Sequence, residues 1–211
     1  MARIIAATPE AYLSAAEVIS AGGVVALPTD TFYGLAADPA QPAALHRLER
    51  MKDRPAGKPY PLLIAKLARV EALTTEFPEQ ARRLARQWWP GALTLLLNAA
   101  ADLPAGMTGG TAVVGLRLAK HPAIALTLAA FGGPITGTSA NRAGDPPPRT
   151  VTAVQAAFSS APDAPDLIVD GGITQALAAS TVVDCTDPPN VTTVREGAIA
   201  DTFIQQVAHA A

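Results

Sequence analysis

Two patterns of apolar residues alternate along the chain: recurrence at helical spacing, and short continuous runs bounded by Pro or Gly. Thr8, followed by Pro9 and Glu10, has the form of a helix N-cap and first turn, and Gly22-Gly23 closes the helix it opens. The run Val24 to Leu27 then reads as a buried strand ending at Pro28. Ala44, Leu45, Leu48 and Met51 set a second helix from about Pro42 to Lys52, which stops before Pro55. Pro61 to Ala65 is read as a strand, Leu67 to Leu73 and Pro78 to Trp88 as helices, and Trp89-Pro90-Gly91 as a turn into a strand at Ala92 to Leu97. Further strands are expected at Ala112 to Leu118, Pro134 to Thr138, Leu167 to Val169, Thr181 to Asp184 and Val191 to Val194. Helices are expected at Pro122 to Phe131, Val151 to Phe158 and Asp201 to Ala208. Such alternation predicts an α/β fold, a mixed sheet with helices on its faces. Its chemistry is expected in the loops that leave the strands.

Composition narrows this picture. At 211 residues the chain is expected to form a single domain, 1–211, with a sizeable core. Hydrophobic residues make up 49% and charged residues 16%, which excludes a disordered chain; aromatics at 5% point to a core of small aliphatic side chains. No apolar run approaches the roughly 18 residues of a membrane span, and the N-terminus lacks the apolar stretch of a signal peptide, so the expected location is the cytoplasm. One cysteine, Cys185, excludes an internal disulfide or a cysteine-based zinc site, and His46, His121 and His209 are too scattered for a metal cluster. The formal net charge of -2 argues against nucleic-acid or lipid binding driven by the overall field, but leaves room for a local basic pocket.

Four loops carry the polar residues from which such a pocket could be built: Pro28 to Gly34, Lys52 to Pro59, Thr138 to Asn141, and Val194 to Gly197. Arg117 ends one strand and Ser180 precedes another. With only 16 Lys and Arg in the chain, Lys52, Arg54 and Lys58 around one loop are a concentration of positive charge suited to a polyanion. Ser139 and Asn141, two apart in an extended loop, can present a hydroxyl and an amide to one ligand. Plainer roles fit the same residues. Lys52 and Arg54 at a helix C-terminus complement its dipole, and Thr29, Asp30 and Thr31 can form a turn with local side-chain bonds. Neither a G-x-x-x-x-G-K-[ST] loop nor a strand-G-x-G-x-x-G-helix unit is present, and no Ser-His-Asp arrangement is arguable. Residue chemistry alone stops at a basic anion pocket in an α/β domain.

Taken together and in order, seven segments resemble the YrdC-like family of threonylcarbamoyl-adenylate synthases. They are GGVVALPTDTFYGLAADP, the K-x-R-P-x-x-K-P pattern from Lys52 to Pro59, WPGALTLLL, VGLRLAKHP, TSANRAG, STVVD and VREGAI. The motif-bearing core runs from about residue 14 to 197. The resemblance implies an open, twisted mixed sheet flanked by helices around a basic concave cleft. It also implies a nucleotidyltransferase that converts L-threonine, bicarbonate and ATP, with Mg2+, into threonylcarbamoyl-AMP and pyrophosphate. A separate threonylcarbamoyl transferase complex would then modify the adenosine at position 37 of tRNA, with no membrane involved.

Carried over residue by residue, the resemblance implies catalytic roles for Lys52, Arg54, Ser139 and Asn141. It implies ATP contacts at Arg54, Lys58, Val113, Ser139 and Arg195, and a threonine site at Thr31, the Leu63 main chain, Arg117 and Ser180. Gly137 stands where a small polar residue is usual, and Val194 where Leu is usual. Because the sequence ends soon after Arg195, it is expected to be the short, single-domain form. Two alternatives remain open at this stage: an RNA-binding YrdC-like module, and a paralogue using a different carbamoyl acceptor. Carbamoyl transfer of the hydrogenase-maturation type is disfavoured, since that chemistry comes with cysteine-rich zinc modules.

Overall fold

The computed structural model describes residues 2–54 and 59–210. In chain order the elements are β1 (Arg3–Ala6), α1 (Pro9–Ser20), β2 (Val25–Leu27), β3 (Gly34–Ala36), α2 (Pro42–Lys52), β4 (Leu62–Leu63), α3 (Ala68–Leu73), α4 (Glu79–Trp88), β5 (Leu93–Asn98) and α5 (Ala105–Thr108). There follow β6 (Val113–Arg117), α6 (Pro122–Phe131), β7 (Ile135–Thr136), β8 (Thr138–Ser139), α7 (Val151–Phe158), β9 (Leu167–Asp170), β10 (Thr181–Asp184), β11 (Thr192–Arg195) and α8 (Asp201–Ala208). Among the described residues no helix is long and apolar enough to cross a membrane.

The mixed α/β architecture is as expected, but its strands divide between two sheets. One has the order β1-β9-β2-β3-β8 and the other β11-β10-β5-β6-β4-β7, and each contains both parallel and antiparallel pairs. The expected strand Pro134 to Thr138 is where they join: β7 pairs with β4 in the second sheet, and β8 pairs with β3 in the first. Gly137 lies between them, its N–H bonded to the Pro61 carbonyl at 2.7 Å. A Cβ there would lie 2.6 Å from Leu63 Cγ, so only glycine lets the chain cross this closely. Strands β1 and β3 and the short helix α5 carry no distinctive pattern in the sequence.

Local sequence rules account for the helices that flank the first sheet. Thr8 Oγ1 accepts the Ala11 N–H at 3.2 Å, with Pro9 in the first turn. Ala11, Tyr12, Ala15, Ala16 and Ile19 form the buried stripe of α1, which packs on α6. His121 Nδ1 caps α6 by accepting the Ala123 N–H at 3.1 Å. Burial pushes the His121 imidazole below its ordinary value, while the nearby Asp30 charge opposes that shift.

On the second sheet the strand alternation places the site. Leu93, Leu95 and Leu97 of β5, Val114 and Leu116 of β6, and Val183 of β10 pack into one core with Leu84 of α4 and Ile204 of α8. Period two therefore sends Leu96, Arg117, Ser180 and Val182 to the opposite face, where they line a cleft shared with the first sheet. Tyr33 ties the loops around that cleft. Its main chain bonds the Pro148 carbonyl and the Ala140 N–H, and its buried hydroxyl donates to Gly172 O at 2.8 Å and accepts the Gly171 N–H at 3.1 Å. Burial raises the Tyr33 phenol above its ordinary value, so it stays protonated as a donor. Tyr33→Phe strands both backbone partners, and urea denaturation should show a loss of about 1–3 kcal/mol with an unchanged m-value.

Candidate active site

The cleft has a volume of about 300 Å³ and is walled by the Thr29 to Ala36 segment, the Gly137 to Ser139 crossing, and the inward face of the second sheet. Arg117, at the C-terminal end of β6, is buried on this inner face. Its Nε donates to Gly91 O at 3.1 Å, Nη1 to Thr31 Oγ1 at 3.2 Å and Nη2 to Asp30 Oδ1 at 2.7 Å. Two of its five N–H donors remain for a ligand. Thr29 Oγ1 donates to Phe32 O at 2.7 Å and accepts the Thr31 N–H at 3.0 Å. Its one proton is then committed, so the 3.0 Å contact between the hydroxyls of Thr29 and Thr31 has Thr31 as donor. The turn with local side-chain bonds is also part of the cleft wall.

Ser180 and Arg195 form the facing wall. Arg195 Nη2 donates to Ser180 O at 2.8 Å and to Ser180 Oγ at 3.2 Å, and Ser180 Oγ lies 3.0 Å from Thr94 Oγ1. This stacking requires Gly197. A Cβ there would meet Ala179 O at 2.3 Å and the Ser180 carbonyl carbon at 2.7 Å. Arg195 makes no ion pair among the described residues, and it is lowered from its ordinary value by burial and by Arg117.

On the third side Arg54 lines the cleft, donates through Nη2 to Pro59 O at 3.0 Å, and stacks 4.6 Å above the Tyr60 ring. Burial pushes the Tyr60 phenol up to about 12. Ser139 of β8 also lines the cleft.

Not every expected residue converges on this space. Lys52 is buried behind the cleft wall and acts as a brace, its Nζ donating to Ser139 O at 2.6 Å and Asn141 O at 2.7 Å. Burial first, and Arg54 second, lower its ammonium to about 8, while the two carbonyls favour the charged form, so it stays protonated at neutral pH. Asn141 turns its amide nitrogen away to Arg142 O and Asp145 O, at 2.8 and 2.7 Å, and its buried Oδ1 has no partner among the described residues. Val113 begins β6 at the opposite end from Arg117, roughly 13 Å along the strand, and is not among the residues lining the cleft. Lys58 lies outside the described residues. The Leu63 segment joins the Arg117 side, since β4 pairs Leu63 with Arg117 and Ile64 N–H reaches Arg117 O at 3.0 Å.

Sequence reasoning missed Asp30 as the counter-ion of Arg117, Gly91 as its third partner and Tyr60 as the platform under Arg54. The signals were present in T-D-T, W-P-G and the Tyr after K-P. Each also fits an ordinary turn or core residue, and only the fold brings it to an arginine.

The Sua5/YciO/YrdC family, described as "Telomere recombination", matches residues 17–197. A threonylcarbamoyl-AMP synthase from Pyrococcus abyssi is 38% identical over 194 residues, covering 92% of this chain and 56% of its own length. One from Alkalilimnicola ehrlichii is 44% identical over 137 residues, covering 65% of this chain and 71% of its own. The chain thus spans little more than half the length of the Pyrococcus relative. The crystal structure of P. abyssi Sua5 complexed with L-threonine superposes with a TM-score of 0.87 at 33% identity, covering 98% of this chain and 60% of that one. Motif order, strand arrangement and sequence identity all agree: the chain belongs to the Sua5/YciO/YrdC family.

Proposed function

We propose that this chain is a cytoplasmic threonylcarbamoyl-AMP synthase, making the adenylate and pyrophosphate from L-threonine, bicarbonate and ATP for tRNA modification. The observation that carries the reading is the convergence in one cleft of two kinds of anion site. An oriented guanidinium beside a hydroxyl, Arg117 with Thr31, suits an amino-acid carboxylate. Arg195 and Arg54, with no carboxylate partner among the described residues, suit phosphates. The relatives' names and the threonine in the P. abyssi structure support the same substrates.

The reaction asks little covalent chemistry of the protein. The threonine ammonium gives up a proton, and the resulting amine bonds to the carbon of bicarbonate as water leaves, giving a carbamate. A carbamate oxygen then attacks the α-phosphorus and pyrophosphate departs. Alignment and charge neutralisation are the protein's share. Arg117, Thr31 and Ser180 would hold the amino acid, Arg54, Arg195 and Ser139 the nucleotide, and Lys52 would keep the Ser139 loop in place. Among the described residues no group of three His, Cys, Asp or Glu side chains converges. Magnesium would therefore arrive on the phosphate oxygens, where it shares their charge, rather than in a protein cage. The adenylate would pass to a threonylcarbamoyl transferase complex acting on position 37 of tRNA.

Protein incubated with Mg-ATP, L-threonine and labelled bicarbonate should form a labelled adenylate and one pyrophosphate per adenylate. Folded protein that forms neither overturns the reading. Losing a hydrogen bond to a charged group costs about 1.5–3 kcal/mol, so Arg54→Ala should weaken ATP roughly 10- to 100-fold while circular dichroism stays native.

A pH dependence follows from Lys52. Its charge is present below about pH 8 and lost above, so ATP affinity measured by calorimetry should fall as pH rises through that value. In Lys52→Met the same titration should show no inflection there.

A further inference from the structure

Three arginines share the cleft, yet among the described residues only Arg117 has a counter-ion. Asp30 Oδ1 takes Arg117 Nη2 at 2.7 Å, the two side chains retaining 13% and 8% of their surface. Asp30 is not among the residues lining the cleft, whereas Arg117 and Arg195 both are. The carboxylate therefore stands behind the guanidinium and acts through it. Among the described residues Arg195 donates only to the neutral oxygens of Ser180, and it feels the Arg117 charge. With Asp30 in place the Arg117 half of the cleft is close to neutral and still offers two aimed N–H donors. Without it, two facing guanidinium groups would form a dication, which a polyphosphate bridges better than a single carboxylate can.

We propose that Asp30 is a positioning residue that divides the cleft by charge, reserving Arg117 for one carboxylate and leaving polyphosphate to Arg195 and Arg54. This rests on the reading of the cleft as a site for an amino acid and ATP. Asp30→Asn is the informative change, because the amide oxygen can still accept from Nη2 while the charge is gone.

The test is titration of inorganic pyrophosphate into the folded protein, with and without saturating L-threonine. In the native protein threonine should leave pyrophosphate affinity unchanged within about twofold. In Asp30→Asn pyrophosphate should bind about tenfold tighter, as expected for removing a carboxylate beside a partly buried phosphate site, and threonine should now weaken it. A variant that binds both ligands less well, or binds pyrophosphate as before, overturns the division. If Asp30→Asn does not fold, Asp30→Ser, which is smaller and also uncharged, gives the same readout; failure of both to fold assigns Asp30 a purely structural role and overturns the proposal. A native protein that binds pyrophosphate but no threonine overturns the substrate reading instead, and the charge division falls with it.

Discussion

An arginine whose side chain keeps only 8% of its surface exposed must have its charge and its donors met locally, and at Arg117 that demand organises the cleft. Removing an ion from water costs several kcal/mol unless partners with good geometry replace the solvent. The partners come from far apart in sequence. Gly91 belongs to the turn before β5, and Asp30 and Thr31 to the turn between β2 and β3. One side chain thus ties a turn of the first sheet to a strand and a turn of the second. Two motifs that look independent in the sequence, T-D-T and W-P-G, are halves of one coordination shell.

Burial uses the remaining cations differently. Lys52 donates to the carbonyls on either side of Ala140, so its charge shapes the Ser139 loop from behind. The Pro- and Gly-rich stretch from Arg142 to Arg149 is held as well: Ala143 N–H reaches Lys52 O, Pro148 O accepts from Tyr33, and Arg149 exchanges bonds with Thr174. The stretch is thus anchored at several points along its length. Arg195 and Arg54 keep their guanidinium groups toward the cleft because their own partners are neutral carbonyls, a hydroxyl and a ring face. The positive wall consists of groups whose solvation has been replaced but whose charge has not been cancelled.

Elements with strong local signals were legible in the sequence. Thr8-Pro9-Glu10 begins α1 because capping is a local event, and the Leu-rich run of β5 is a strand because alternate residues bury on one core. Among strands of two or three residues, Val25–Leu27, Leu62–Leu63 and Ile135–Thr136 fall inside expected strands because an apolar run marks each, whereas Gly34–Ala36 carries no such run. Gly34–Ala36 lies between β2 and Thr138–Ser139 and is held by ladders to both, not by any pattern of its own. The division into two sheets turns on Gly137, a close approach that no periodicity announces. For the candidate site, the resemblance named Thr31, Arg54, Leu63, Arg117, Ser139, Ser180 and Arg195, all of which line the one cleft. It could not say which way a side chain turns at its position, which is why Asn141 looks into its own loop and Lys52 stands behind the wall. Val113 and Arg117 share a strand yet lie at its two ends.

The formal net charge of -2 describes the outside of this protein better than its cleft. Outside the cleft, Arg47 and Arg50 pair with Asp166 and Asp163, Arg83 and Arg86 share Glu79, and Arg142 meets Asp53. Such pairs leave little free positive field at the surface. A nucleic-acid backbone needs exposed cations spaced along a path it can follow, so that counterions are released along its length. Here three arginines converge on about 300 Å³ between two sheets, and among the described residues a carboxylate, Asp30, answers only one of them. That geometry concentrates attraction where a small anion fits and a duplex does not. Electrostatics therefore favours small anions as occupants over an extended nucleic-acid backbone, despite the acidic total.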